Sequence, residues 1–330
     1  MMLQEWKKLL QARKWMKKNE SFLPTWHAHL GYSLDLFDHF KKPEHPEKIA
    51  DVYQLDKTLL NRWVEVGLAV GHLNNKGNGK IKSDKTCIQY ISKHSPDSVG
   101  ALLKEMLELH IPTMLAYKDL MAGREKINYM EADFGKTVAE TSELLETLAF
   151  PKVMNCIKKH KVKSVIDMGC GYGGYLHRIH EKKPGLSLTG IEIHEEIVEE
   201  AKKRMADTTI NIKHEDLTNL ETGKAKTDLI MLNNILYYFP TDDRQQLFEK
   251  ATDIVSNKGR MLVMTPIHDA AHGKAFSAAF NSFMSAHDNL FPLPSEKEIK
   301  QYAKKTGWKV KDVDPIVKEG GWYLFHLKKV

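Results

Sequence analysis

The chain has 330 residues, 42% of them hydrophobic and 28% charged, enough for one large core or two ordinary ones and too apolar for disorder or a collagen-like repeat. Its 49 Lys+Arg against 43 Asp+Glu leave +6, a mild bias that does not by itself imply a polyanionic partner. Cys87, Cys156 and Cys170 are odd in number and far apart, without a C-x-x-C pair, which argues against a disulfide framework or a cysteine zinc site. With no apolar run long enough to span a membrane and no signal-peptide pattern at the N-terminus, the expectation is a soluble, cytoplasmic protein.

Residues 1–150 read as helices with one interruption. Over 3–16, Leu3, Trp6, Leu9, Leu10 and Met16 fall near one helical face, with Lys7, Lys8 and Lys14 mostly elsewhere. This basic amphipathic stretch is expected to pack in a homodimer or on its own domain rather than on a membrane. Helices follow at 30–40, 46–53 and 57–69, then a strand pair around Asn74-Asn75-Lys76-Gly77-Asn78-Gly79, whose Asn and Gly residues supply the positive φ angles of a tight hairpin. Three helices and a hairpin suggest a winged helix, with 57–63 in the recognition position. The first 150 residues carry 21 basic and 20 acidic side chains, too even a balance for a DNA reader, since phosphate neutralisation supplies much of the affinity. The remainder to residue 150 is expected to be helical with a break at Pro112, and Met114, Met121, Tyr129, Met130 and Phe134 are candidates to line a pocket.

From residue 151 the pattern changes. Aliphatic runs at 164–168, 188–193, 210–213, 229–232 and 260–264 alternate with helical segments such as 195–205 and 244–255, which predicts a mostly parallel sheet covered on both faces. A helix at 295–306 and strands at 309–313 and 322–327 complete the tail, the last two as an antiparallel hairpin around Gly320-Gly321. The fold expected is therefore α/β, a Rossmann-like, mostly parallel seven-stranded sheet over 151–330, behind a mainly helical winged-helix domain over 1–150.

The sharpest signal is Val165-Ile166-Asp167-Met168-Gly169-Cys170-Gly171-Tyr172-Gly173-Gly174, a strand running through a glycine turn into a helix. Glycines there let the backbone pass close beneath a ligand and leave helix N-terminal amides to bond it. Gly169, Gly171 and Gly174 also satisfy the dinucleotide fingerprint, with Glu192 placed for a ribose, so an NAD-linked oxidoreductase remains an alternative. Asp167 favours a different ligand, because a carboxylate at the strand end repels a pyrophosphate but holds an ammonium.

At these residues the chain resembles the class I S-adenosylmethionine-dependent methyltransferases, whose first motif D-x-G-x-G-x-G is matched by Asp167, Gly169, Gly171 and Gly173, with Cys170 inside the turn. The resemblance implies S-adenosylmethionine as cofactor, Glu192 on its ribose, Ile193 beside the adenine, Asp216 with Leu217 at the adenine amino group, and Asn233 and Asn234 on the methionine side. With the helical first half, the chain is similar to the plant-type small-molecule O-methyltransferases, which implies a homodimer, an N-terminal domain that helps to close the pocket, and a small-molecule acceptor, with oxygen favoured over carbon and nitrogen and no nucleic acid. That group's catalytic segment has the form N-x-x-H-D-W; here Tyr237, in Asn234-Ile235-Leu236-Tyr237, stands in the place of the histidine. Methyl transfer to a hydroxyl still needs the proton removed. His268 and His287 are the candidates for that task, with Tyr237 as base or orienter. The i, i+4 spacing of His268 and His272 would suit a metal on a helix, although no metal is assigned. A winged-helix regulator with Lys57, Arg62, Lys76 and Lys80 on one face is the other alternative.

Overall fold

The computed structural model of the chain describes residues 2–126, 128–129, 135–220 and 226–330. Met130 and Phe134, two of the candidate pocket residues, lie outside them. Two compact units divide between Pro112 and Thr113, upstream of the expected division at 150/151. The expected boundary lies within one helix, Gly135–His160, which holds Pro151 in its interior and buries Ala149, Val153, Met154, Cys156 and Ile157 in the second unit.

In the first unit, the helices Pro46–Tyr53 and Lys57–Ala69 lie where periodicity places them, the second opened by the Asp56 carboxylate, which accepts from the Leu59 N–H at 2.8 Å. Strands β1 (Leu73–Asn75) and β2 (Ile81–Ser83) pair antiparallel through a turn in which Gly77, Asn78 and Gly79 all have positive φ. The helix expected over 30–40 is instead two, Phe22–Ser33 and Leu36–His39, separated at Asp35, whose φ is 55°. Periodicity hides that break because Leu30, Leu36, Phe37 and Phe40 all pack on the same core with Leu60, Trp63 and Ile81. The helix expected over 3–16 runs from Met2 to Glu20 and leaves Trp6, Leu9, Leu10, Trp15 and Met16 exposed. Pro112 does not end its helix; a π turn at Met106–His110, where Ile111 N–H reaches back to Met106 O, absorbs the proline next to it.

One histidine is buried in this unit and a second, half-buried, lies against it. His27 is fully buried, its ring stacked 4.2 Å from that of Trp63, and its Nδ1 lies 3.0 Å from the Nδ1 of His72. Burial, helped by the neighbouring His72, holds His27 down to about 3, and burial also lowers His72. His27 is thus uncharged in the folded chain where it would charge in the unfolded one, and the lowered His72 acts in the same direction, so stability is full above about pH 6.5 and falls as pH drops below it, at a slope of up to ~1.4 kcal/mol per pH unit for each proton taken up. The apparent melting temperature, measured between pH 7.5 and 5, is expected to fall with pH, and a variant with both histidines replaced by glutamine is expected to lose most of that slope.

The second unit carries a seven-stranded sheet of β3 (Ser164–Met168), β4 (Ser187–Glu192), β5 (Asn211–His214), β6 (Thr227–Asn233), β7 (Val255–Pro266), β8 (Trp308–Val317) and β9 (Trp322–Lys329), in the order β5-β4-β3-β6-β7-β9-β8. The first five strands of that order are parallel, and β9 runs antiparallel between β7 and β8. The parallel strands read as continuous aliphatic runs because both faces are covered; Leu229, Ile230, Met231 and Leu232 of β6 and Met261 to Met264 of β7 are all buried. The chain leaves β3 to one side for β4 and returns to its other side for β6. Ligands of open α/β sheets sit at such a reversal, outside the carboxyl ends of the strands. A capping box formed by Ser295 and Glu298 starts the helix Glu296–Lys305 that backs the sheet.

Candidate functional site

At the carboxyl end of β3 the chain turns sharply through Gly169-Cys170-Gly171-Tyr172-Gly173 into the helix Gly174–Lys182. Gly169, Gly171 and Gly173 have φ of 77°, 52° and 78°, a region that side-chain-bearing residues rarely enter. The amides of Gly169 and Cys170 both donate to Ile191 O of β4, at 2.8 and 3.0 Å, which ties the turn to the neighbouring strand. A Cβ on Gly169 would lie 2.6 Å from the Ile235 side chain, whereas one on Gly171 would meet nothing within 4 Å. The first glycine packs and the second borders open space.

Glu192, at the end of β4, spans that turn. Its Oε2 accepts from Gly171 N–H at 3.1 Å, and its Oε1 from the amides of Ile193 and His194 at 2.9 and 3.1 Å. Next to it the Ile193 side chain is half exposed, an apolar surface beside an acid. Asp167 lies under the turn, 2% exposed, with one hydrogen bond from Asn233 Nδ2 at 3.1 Å. Burial and the nearby Glu146 and Glu192 push its carboxyl well above the usual range, against the pull of Asn233. These groups set hydroxyl-accepting carboxylate oxygens of Glu192 beside the apolar surface of Ile193 and the buried carboxyl of Asp167.

Other expected residues also make local contacts. Asp216 accepts from Thr218 N–H at 2.8 Å, from Thr218 Oγ1 at 2.7 Å and from Asn219 Nδ2 at 3.0 Å, and these bonds hold its carboxyl below its ordinary value. It closes its own turn after β5, and Leu217 beside it is part of the sheet's core. The buried Cys170 thiol is pushed up by burial and by Asp167 and Glu192, which makes it unreactive.

Beyond β6, Asn234 adopts φ 55° and is fixed twice, by its N–H on Met264 O at 2.7 Å and by Trp322 Nε1, which donates to its Oδ1 at 3.1 Å. A short 3-10 turn at Leu236–Tyr238 then carries Tyr237, which is buried. The Tyr237 ring meets Phe280 edge-on at 6.2 Å; Phe280 stacks with Phe283 at 6.0 Å and lies 5.2 Å from Trp322; Phe283 lies 4.6 Å from His287, and Tyr129 stands edge-on to His287 at 5.6 Å. The helix Lys274–Ser285, which contributes Phe280 and Phe283, thus brings Tyr237 and His287 into one aromatic cluster. His287 is buried, and its Nδ1 lies 2.9 Å from Phe283 O. A carbonyl only accepts, so Nδ1 carries the proton and Nε2 is the ring's basic nitrogen.

His268 is not in that cluster. Its side chain is 43% exposed, with Nε2 3.9 Å from Glu298 Oε2 at the edge of the helix Glu296–Lys305. His268 and His272 lie in turns before the helix Lys274–Ser285, so the helical i, i+4 face expected of them does not form. Met114 and Met121 are exposed rather than enclosed.

Arg244 carries no signal in the sequence, where it reads as a surface helix start. It is buried, donating from Nε to Phe239 O at 3.1 Å and from its terminal nitrogen to Pro292 O at 2.6 Å. Phe291 N–H in turn donates to Tyr237 O at 2.8 Å, so this one guanidinium ties the segment after β6 to the segment after His287.

Comparison with known proteins places this geometry. Residues 165–259 match the family model of a methyltransferase domain. The chain is 27% identical over 189 residues to the carboxy-S-adenosyl-L-methionine synthase of Campylobacter hominis, covering 52% of this chain and 79% of that one. It is 29% identical over 105 residues to the trans-aconitate 2-methyltransferase of Escherichia coli, a match that spans 32% of this chain and 40% of that enzyme. Over nearly its full length the fold is similar to that of an O-methyltransferase family protein from Burkholderia thailandensis, with a TM-score of 0.80 at 17% identity, covering 96% of this chain and 98% of the other. Glycine turn, sheet order and family match agree that residues 165–259 form a methyltransferase domain, and the activity they support is that of an S-adenosylmethionine-dependent methyltransferase.

Proposed function

We propose that the chain transfers the methyl group of S-adenosylmethionine to a small, flat, aromatic acceptor, with oxygen the favoured atom, carbon second and nitrogen third. One observation carries the reading: a glycine turn flanked by the buried acids Asp167 and Glu192 lies one strand from the aromatic cluster that holds Tyr237 and His287. In this reading Glu192 takes the ribose hydroxyls, Ile193 and Leu217 border the adenine, with Asp216 at its edge, Asp167 and Asn233 receive the amino-acid end, and Asn234 lines the path to the acceptor. S-adenosylmethionine brings an electrophilic methyl on a sulfonium; the protein aligns the acceptor, keeps water out and removes a proton. The aromatic rings supply flat contact area and His287 Nε2 a base, with Tyr237 orienting the acceptor. The name of the Burkholderia protein supports oxygen as acceptor atom.

The helices Leu36–His39, Pro46–Tyr53 and Lys57–Ala69 with the hairpin that follows them fit a winged helix, and the exposed Trp6, Leu9, Leu10 and Met16 of the first helix support a homodimer, in a cytoplasmic enzyme. A DNA-reading role is disfavoured: Lys57 pairs with Asp51 at 2.6 Å and Arg62 with Glu65 at 2.6 Å, which neutralises two of the four bases such a face would use. No described helix is long and apolar enough to cross a membrane.

Calorimetric titration with S-adenosylmethionine and, separately, with NAD tests the reading. Micromolar binding of the first and none of the second is expected, because the carboxyls of Asp167 and Glu192 at the turn oppose a pyrophosphate. Binding of NAD alone would sink it. A screen of phenols, hydroxyquinolines and heteroaromatic amines then identifies the acceptor class, and turnover only of aliphatic acids would remove the aromatic assignment.

A further inference from the structure

Glu146 places a carboxyl at the glycine turn that none of the roles above employs. It projects from the helix Gly135–His160 onto the first residue of the helix Gly174–Lys182, so that a Cβ built on Gly174 would lie 2.1 Å from its Oε2 and 2.7 Å from its Oε1. Glycine at 174 is what lets the carboxyl approach the backbone there. Oε2 is shielded from solvent and accepts no hydrogen bond among the described residues. The nearest cation is Arg178, whose Nε is 3.8 Å away and whose terminal nitrogen is already directed at Glu143, 3.4 Å distant.

Buried carboxylates ordinarily collect donors. Glu192 has three backbone N–H groups and Asp167 has Asn233, whereas Glu146, its side chain 17% exposed, has none among the described residues and shares one arginine with a second acid. Glu146 stands close enough to Asp167 to raise the cost of ionising it, so the acids at the turn are short of positive charge.

We infer that Glu146 is a second ligand-binding acid, which pairs with Asp167 to receive the primary ammonium of an amino-acid-bearing ligand and so selects the amino-acid end of the cofactor. The inference rests on the proposed binding of S-adenosylmethionine and adds to it a residue upstream of the glycine motif. An ammonium supplies the missing charge and the missing donors together. It also couples binding to protons. The groups facing Glu146 are Arg178 and Tyr175 from the helix Gly174–Lys182, Glu143 from its own helix and Asp167 from β3, with Glu192 behind Asp167. Of these only Arg178 favours ionisation, and burial raises the Glu146 carboxyl to about 7. A bound ammonium lowers that value, so binding near and below pH 7 releases a proton, and affinity rises with pH through this range before levelling off.

The test is calorimetric titration of the full chain with S-adenosylhomocysteine and with methylthioadenosine, which keeps the nucleoside and the thioether but has no amino-acid end, each in two buffers of different protonation enthalpy at pH 6.5 and pH 8. At pH 6.5 the native chain is expected to release a large fraction of a proton on binding S-adenosylhomocysteine and none on binding methylthioadenosine. Glu146→Gln is expected to reduce that release to what Asp167 alone contributes and to weaken S-adenosylhomocysteine roughly tenfold at pH 8, with methylthioadenosine affinity unchanged. Unaltered S-adenosylhomocysteine affinity and proton release in Glu146→Gln would overturn the inference. Loss of both ligands would also overturn it, since the carboxyl would then serve the cleft as a whole. A native chain that binds neither ligand would instead strike down the cofactor reading on which the inference stands.

Discussion

Replacing Gly171 with valine is expected to remove measurable binding of S-adenosylmethionine while leaving a folded protein. Two terms decide this. Gly171 has φ 52°, a conformation that costs a non-glycine residue roughly 1–2 kcal/mol and a β-branched one more. The side chain itself clashes with nothing, because no heavy atom lies within 4 Å of the Cβ position. The fold therefore bears a modest strain, on the order of a few degrees in melting temperature for a domain this large. Binding bears far more. The space that a valine fills is the open side of the turn, next to the amide that Glu192 holds in place, where a ligand has to lie against the backbone. Gly169→Val is the contrasting case. Its φ is 77° and its Cβ would lie 2.6 Å from Ile235, so it adds a steric collision to the strain and is expected to destabilise the protein more than Gly171→Val does. Calorimetry with S-adenosylmethionine and thermal unfolding, run on both variants, separate the two effects. If Gly171→Val binds the cofactor as tightly as the native chain, the ligand does not lie on this turn.

How much of this was readable beforehand depends on whether the controlling contacts are local. Strand β3, the glycine turn and Asp167 are a contiguous signal, since a buried parallel strand must be aliphatic, a sharp exit needs positive φ, and an acid at that junction is conspicuous. Glu192 follows from the same logic one strand later. Glu146 does not. It lies on an amphipathic helix with Glu140 and Glu143 nearby, and only the packing of that helix on the Gly174–Lys182 turn sets it apart. The same helix explains why no unit boundary falls at 150/151: it runs through that point and accommodates Pro151 in its interior. Arg244 was equally illegible, because a buried guanidinium satisfied by two carbonyls has the sequence signature of a solvated helix start. The two histidines make the point most sharply. His268 and His287 occupy similar apolar-polar surroundings in the sequence, and nothing there separates the one that points at Glu298 from the one enclosed by Tyr129 and Phe283.

That enclosure leads to the second large effect. His287→Asn is expected to lower kcat by about two orders of magnitude or more for a hydroxyl acceptor, with the affinity for S-adenosylmethionine unchanged, which is the usual scale for losing a general base. The argument is geometric. The Nδ1 proton is committed to Phe283 O, so the ring is held in one tautomer and its basic nitrogen, Nε2, lies on the side of the ring away from that carbonyl. Tyr129 and Phe283 flank the imidazole and restrict its rotation and its access to water. Asparagine retains a donor for Phe283 O but has no basic nitrogen, so packing is largely preserved and the proton acceptor is lost. Tyr237→Phe serves as the companion. A tyrosine that orients the acceptor through its hydroxyl contributes through binding and alignment, so its loss is expected to raise KM and lower kcat by roughly tenfold. A tyrosine acting as the base would instead reproduce the His287 deficit. Single-turnover rates with an identified hydroxyl acceptor, measured beside calorimetric cofactor affinity, distinguish these outcomes. Full activity in His287→Asn would leave proton removal to solvent or to another group and reduce His287 to a packing residue. An acceptor that loses its proton without assistance, such as an acidic phenol, should be methylated by the variant at close to the native rate, because alignment by the aromatic cluster survives when the base does not.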